Sequence, residues 1–224
     1  MLSDYLSVSL QKLKYDKQFC LPVTNDKSIV GFLSPITFFD IENDSIIKML
    51  KDWRNHNVGA YLDQRKTTII ETRKWLNDHV LKNHSKILFF LKSVDGVPIG
   101  HVGLANGLKI INSIEMDNIV RGKLNFENGI ITLALYDLIT WVFTSFGYQK
   151  VYLRVFSDNN KAITLYRRLG FKEIKKFPLG YKLENNIKIF FILSEEVVAE
   201  KYFSHMELQR ACHFFNYNNI KEYK

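Results

Sequence analysis

The chain has 224 residues, 46% hydrophobic and 24% charged, the balance of a soluble globular domain with room for one sizeable core. No apolar run approaches the ~20 residues that span a bilayer, residues 1–11 lack the charged-then-apolar layout of a secretion signal, and the net charge of +8 is scattered rather than gathered in runs. Cys20 and Cys212 lie far apart without metal-ligand spacing and read as free thiols of a reducing compartment, so the expectation is cytoplasmic.

A solvated basic surface accounts for most lysines, a polyanionic ligand accounts for any excess, and nucleic acid is the last reading because no binding motif is present. Residues 1–28 are weakly periodic and read as an N-terminal extension. Residues 29–39 alternate loosely and predict a first strand, limited in its pairing by Pro35. Asp44 is placed to cap a helix through Ile46, Ile47, Leu50 and Trp53 that ends near residues 57–59. A second helix follows Thr67 or Thr68, with Ile70, Trp75 and Val80 as its buried side. Residues 87–93 and 97–105 are strands joined at the Asp95-Gly96 turn, and 109–120 makes a third. A glycine-punctuated loop, 121–129, leads into a long apolar helix from Ile130 to about Phe146, closed by Gly147. Residues 150–156 are rich in β-formers. After them, Asp158 or Asn159 caps a helix that stops at Gly170, with Ala162, Leu165, Tyr166 and Leu169 on one face. Residues 171–176 and 187–193 complete the sheet as a final hairpin around 184–186. Residues 195–224 (Val198, Tyr202, Met206, Ala211, Phe214) read as an added helix packing on the domain or on a second subunit. The organisation is thus 1–28, 29–194 and 195–224, and the mixed order implies an α/β sheet with antiparallel pieces and one central crossover.

Asn159, Ala162, Tyr166, Gly170 and Phe171 stand at the spacing Asn-x-x-Ala-x-x-x-Tyr-x-x-x-Gly-Phe. This run resembles the signature of the GNAT acyltransferases, which move an acyl group from coenzyme A to an amine. The element order over roughly 30–194 is similar to the GNAT fold. The resemblance implies that two central parallel strands, here 113–120 and 150–156, splay apart to admit the acyl-carrying arm of acetyl-CoA or another acyl-CoA. It places the pyrophosphate at the start of the long helix, where free N–H groups and the helix dipole favour anions. Cofactor contacts are then expected from Val120, Arg121, Gly122, Asn128, Gly129 and Ile130, while Asn159 bonds the cofactor arm, caps its helix, or does both. The loop departs from the family pattern of Gln or Arg, two residues, Gly, one residue, then Gly or Ala: with Gly129 last, Leu124 and Glu127 occupy the other two positions. No metal is implied.

In many members the hydroxyl equivalent to Tyr166 lies near the cofactor sulfur and protonates the departing thiolate, which a phenol of pKa near ~10 can do at neutral pH. A structural tyrosine is the alternative. Members often carry a base for the amine on the strand 113–120, which makes Glu115 the first candidate and Asp117 the second, since they alternate on one side of it, with His101 as a third; a pair of edge or surface acids is the alternative. Trp53-Arg54-Asn55-His56 resembles the Trp-Arg-Asn motif of GNAT enzymes that acylate amino sugars on nucleotide carriers for surface glycans, and the run 117–122 has the same character. That likeness implies stacking of Trp53 on a base or sugar and pairing of Arg54 with phosphate, with Asn55 and His101 as further expected substrate contacts; a helix-end anchor plus a surface charge is the alternative. The expectation is an N-acetyltransferase for a nucleotide-linked amino sugar. The alternatives are a GNAT enzyme for protein or peptide amines and a non-catalytic GNAT-like binding subunit; a homodimer is left open, and no membrane partner is expected.

Overall fold

The computed structural model describes residues 2–105, 112–123, 129–194, 196–215 and 220. Asn128, Leu124, Glu127 and the 109–111 start of the third expected strand lie outside them. Among the described residues one mixed sheet holds β1 (Leu21–Thr24), β2 (Ile29–Pro35), β3 (Lys86–Ser93), β4 (Pro98–Ala105), β5 (Ser113–Arg121), β6 (Lys150–Phe156), β7 (Lys172–Glu184), β8 (Ile187–Ile192) and β9 (Lys201–Gln209). Their spatial order is β1-β2-β3-β4-β5-β6-β9-β7-β8, antiparallel throughout except for the parallel pair β5 and β6. The helices are α1 (Leu2–Leu13), α2 (Asp44–His56), α3 (Ile69–Trp75), α4 (Ile130–Phe146), α5 (Asn160–Arg168) and α6 (Arg210–Phe215). None of them is long and apolar enough to cross a membrane.

Two cores sandwich the sheet, and β3 shows why. Its run Leu88, Phe89, Phe90, Leu91 is buried on both faces, the pattern of a central strand. Phe89 and Leu91 join the core under α4 and α5, where Leu133, Leu138, Ile139, Val142 and Phe143 pack. Leu88 and Phe90 join the opposite core, under α2 and α3, with Ile47, Leu50 and Trp53. Burying one such side chain contributes about 1.5–3 kcal/mol, so α4, with ten buried residues, is the main anchor of the sheet.

Local chemistry sets most boundaries. Asn43, one residue before the expected Asp44, caps α2 by accepting from Ser45 N and Ile46 N. Thr68 and Glu71 form a reciprocal capping box at the start of α3. Ile70 is 80% exposed rather than buried, because α3 turns its other face inward and runs on into a π-helical turn, Leu76–Leu81, that buries Leu76, Val80 and Leu81. Gly170, at φ 94°, ends α5 in the left-handed region where a Cβ would be strained. Asn185 and Asn186, both at positive φ, form the two-residue turn of the β7–β8 hairpin.

Both chain ends belong to the domain. β1 pairs with β2, and Lys14 buries its ammonium so that Nζ donates to the carbonyls of Val80, Leu81 and Asn83 at 2.9, 3.0 and 2.6 Å. Those carbonyls end the π-helical turn and have no onward helical partner; the same burial draws Lys14 down to about 8. At the other end, the expected C-terminal helix is instead β9, followed by the short α6. β9 inserts between β6 and β7, with Leu153 opposite Met206 and Phe177 opposite Phe203. The deciding pattern is period two: Ser204, Met206 and Leu208 are buried, whereas Val198 lies outside the strand and is 91% exposed. The β7–β8 hairpin is therefore present but displaced outwards by one strand.

Candidate active site

β5 and β6 pair through three residues only, Ser113 with Lys150, Ile114 with Val151 and Glu115 with Tyr152. Beyond them β5 keeps β4 and β6 keeps β9, so among the described residues the facing edges from Met116 and Leu153 onward have no strand partner. A bulge lies just past the divergence. His101 pairs with Val120 but Gly103 with Asp117, and the extra residue is accommodated at Asn118, at φ 48°. Bulges bend the strand that carries them, and Asn tolerates the left-handed region better than most residues. The ring of His101 fixes the bulge: Nδ1 donates to Asn118 O at 2.7 Å, which leaves Nε2 as the acceptor in the neutral ring. Burial holds His101 down to about 4, so the neutral form prevails at physiological pH.

A cavity of about 1350 Å³ passes through this opening. Ile131, Thr132, Leu165 and Tyr166 line it from the α4/α5 side of the sheet; Arg54, Tyr61, Trp75, Glu115, Arg154 and Phe203 line it from the α2/α3 side. The two faces follow from strand alternation. Val151, Leu153 and Val155 point into the core under α4, so Tyr152, Arg154 and Phe156 point the other way. Tyr166 and the two carboxylates thus approach the opening from opposite faces.

Tyr166 is 7% exposed, its ring packs on Phe171 at 6.1 Å between centroids, and among the described residues its hydroxyl has no hydrogen-bond partner. Burial pushes it up to about 12, so it keeps its proton. Asn159 lines the cavity while accepting from Ala162 N at 3.2 Å, the cap of α5. Glu115 is buried and ion-paired with Arg154 Nε at 2.8 Å; Asp117 is paired with Lys86 Nζ at 2.9 Å.

At the far end of β5, Val120, Arg121, Gly122 and Gly129 line the cavity, together with the first turn of α4. Gly129 sits at the N-cap, and among the described residues no side chain caps the helix, so the first-turn N–H groups suit an anion. Ile130 puts its side chain in the core, with Cδ1 approaching Gly31, while its N–H belongs to the first turn of α4. Gly122 lines the cavity and has no room for a side chain, since a Cβ there would lie 2.0 Å from the Trp53 ring. From Glu115 to Arg121 the strand covers roughly 20 Å.

The expected substrate residues divide. Trp53 is 7% exposed, packed against Phe90 and His101, and does not line the cavity, so stacking on a ligand is corrected to a core role. Asn55 likewise turns away, clamping the backbone of Thr67 with both ends of its amide. Arg54 and His101 do face the cavity. Arg54 stacks on Tyr61 at 3.9 Å and donates to Asp63 O. The 61–64 loop that holds Arg54 is tied to β8, through Phe190 N to Leu62 O at 2.8 Å and Gln64 N to Lys188 O at 3.2 Å, which walls the α2/α3 side. Sequence reasoning passed over Arg154 and Asn118; a charged residue inside an apolar strand and an Asn in mid-strand were their signals.

A family model described as an acetyltransferase (GNAT) domain matches residues 33–172. No curated protein matches the chain in sequence. Among solved structures, the chain is similar to a Vibrio cholerae spermidine N-acetyltransferase in complex with CoA and spermine, at 20% identity and TM-score 0.59, covering 81% of this chain and 96% of that one. An uncharacterised Bacillus halodurans protein gives 14% identity and TM-score 0.67 over 92% and 98% of the two chains. A ribosomal L7/L12 α-N-protein acetyltransferase in complex with coenzyme A gives 12% and 0.65 over 85% and 98%. With the model spanning more than half its length, the chain belongs to the GNAT acetyltransferase family and is an N-acetyltransferase whose co-substrate is acetyl-CoA.

Proposed function

We propose that the chain acetylates the amino group of a small anionic acceptor, and that a nucleotide-linked amino sugar is that acceptor. The carrying observation is the opening between β5 and β6, with a protonated phenol on one side and two carboxylates on the other. The open edge of β5 offers backbone N–H groups to the arm and thioester carbonyl of acetyl-CoA, and the start of α4 offers N–H groups to its phosphates. The acceptor enters from the α2/α3 side. Its ammonium gives a proton, directly or through a water, to Asp117 or Glu115. The nitrogen then attacks the thioester carbon; as the C–N bond forms and the C–S bond breaks, Tyr166 gives its proton to the sulfur, and the second proton on nitrogen passes through water to restore the phenol. The likeness of Trp53-Arg54-Asn55 to nucleotide-sugar enzymes supports the acceptor class through Arg54. So does the wall between the 61–64 loop and β8, which suits a small molecule better than an extended peptide.

Free coenzyme A released from acetyl-CoA, measured against UDP-linked amino sugars, spermidine and peptide amines, tests the proposal. Turnover is expected with the sugar nucleotides. Absence of saturable acetyl-CoA binding, or a preference for spermidine or peptides, would sink it.

A further inference from the structure

We propose that Arg154 is the receptor for an anionic group on the acceptor. The inference rests on the transferase reading above and adds the part of the acceptor that the protein recognises.

Arg154 lies two residues past Tyr152, the last β6 residue paired with β5. Its Nε donates to Glu115 across the opening, and Glu115, with a side chain only 5% exposed, holds the guanidinium from behind. Among the described residues no group takes its terminal nitrogens, and the side chain is 36% exposed where it lines the cavity. A guanidinium anchored through Nε presents a planar fork matched to a phosphate or carboxylate.

Arg54 supplies an independent observation in the same cavity. Tyr61 and Asp63 O fix its plane, yet among the described residues the buried Nη1 has no hydrogen-bond partner. Such a donor costs about 1–3 kcal/mol until an acceptor arrives. The remaining charges point the same way. All four carboxylates lining the cavity are already engaged: Asp63 by Arg65, Glu71 by Thr68, Glu115 by Arg154 and Asp117 by Lys86. Lys66, Lys74 and Lys161 line it without a carboxylate partner among the described residues. A polyamine would find three of the four carboxylates already paired with a cation.

The anion is not one of the phosphates of acetyl-CoA. Arg154 sits at the closed end of the opening, whereas Arg121, which lines the cavity with Gly122 and Gly129, lies up to roughly 20 Å further along β5. A negative group held by Arg154 is therefore beside the reacting carbonyl and comes with the acceptor.

Calorimetric binding of UDP-glucosamine, glucosamine 6-phosphate and glucosamine to the full chain tests this without acetyl-CoA or turnover. The wild type is expected to bind at least one phosphate-bearing probe about 10-fold or more tighter than glucosamine, and Arg154→Gln to abolish that preference. Arg154→Lys keeps the charge for Glu115 but not the fork, so part of the preference survives. Coenzyme A affinity should stay within about twofold in both variants, which a general structural defect would not allow. If Arg154→Gln does not fold, Arg154→Lys decides alone. Equal affinity for all probes, no binding of either phosphate-bearing probe, or undiminished preference in the folded variants would overturn the proposal. Intact preference without acetyl-CoA binding would instead sink the transferase reading and leave the anion site standing.

Discussion

The two sides of the opening between β5 and β6 are built from unlike materials. On the α4/α5 side Tyr166 stands among Ile163, Leu165 and Val155, and among the described residues its hydroxyl has no partner. On the α2/α3 side every lining carboxylate is matched to a donor, and cations outnumber anions. A proton donor must keep its proton until sulfur becomes basic, and a low-dielectric wall ensures that by penalising phenolate. An acceptor arrives charged and hydrated, so its side needs fixed counter-charges instead. The sheet separates these two requirements by a single strand thickness.

Removing the proposed acid should have the largest effect. Tyr166→Phe is expected to lower kcat about 100- to 1000-fold, since a positioned acid contributes that order. Coenzyme A affinity and melting temperature should barely move, because the hydroxyl holds no bond that folding depends on. Steady-state kinetics with a thermal melt on the same sample checks this. Unchanged turnover would return Tyr166 to a packing role and end the contrast between the sides.

His101 lies under the acceptor side and gives a pH test of its burial. An unfolded chain takes up this proton near the ordinary 6.5, whereas the folded chain refuses it until about 4. Between those values the unfolded state binds more protons, so stability is full above 6.5 and falls as pH drops toward 4. The loss attributable to this ring reaches about 3 kcal/mol by pH 4. His101→Gln should flatten the acid limb by one proton's slope in urea midpoints measured from pH 4 to 7. Parallel acid limbs in the two proteins would mean the ring is not held neutral by the fold.

What the sequence disclosed and concealed follows a physical line. Signals that act within a few residues were legible: the helix start after Thr67 or Thr68, the turn at Asp95-Gly96, and the Asn159-to-Phe171 run that carried the family resemblance and put Tyr166 on the cavity. Signals that need a distant partner were not. Lys14 looks like a surface lysine until the carbonyls of the Leu76–Leu81 turn meet it. β9 was taken for a helix because Val198, Tyr202 and Met206 fall four apart, while its true inward set includes a serine that pays its way by bonding Ser157 and Glu173. Trp53 was assigned to a ligand by likeness alone, and the space left by Gly122 claims it for the core. Arg154 was overlooked because its partner Glu115 lies on another strand.

The smallest expected effects grade the acceptor side by burial. Glu115 and Asp117 share one face of β5, and each is paired with a cation. Glu115→Gln strands Arg154 beside a neutral amide in a nearly closed site and should cost about 2 kcal/mol. Asp117 and Lys86 are 22% and 25% exposed, so water screens that pair and Asp117→Asn should cost about 0.5–1 kcal/mol. Guanidinium midpoints at pH 7 separate these values. The same exposure lets water reach Asp117, which makes it the better outlet for the acceptor's proton. Its loss should therefore lower kcat more than its stability cost implies. Equal stability losses at the two positions would show that both carboxylates sit in one environment, and the graded acceptor side would have to be abandoned.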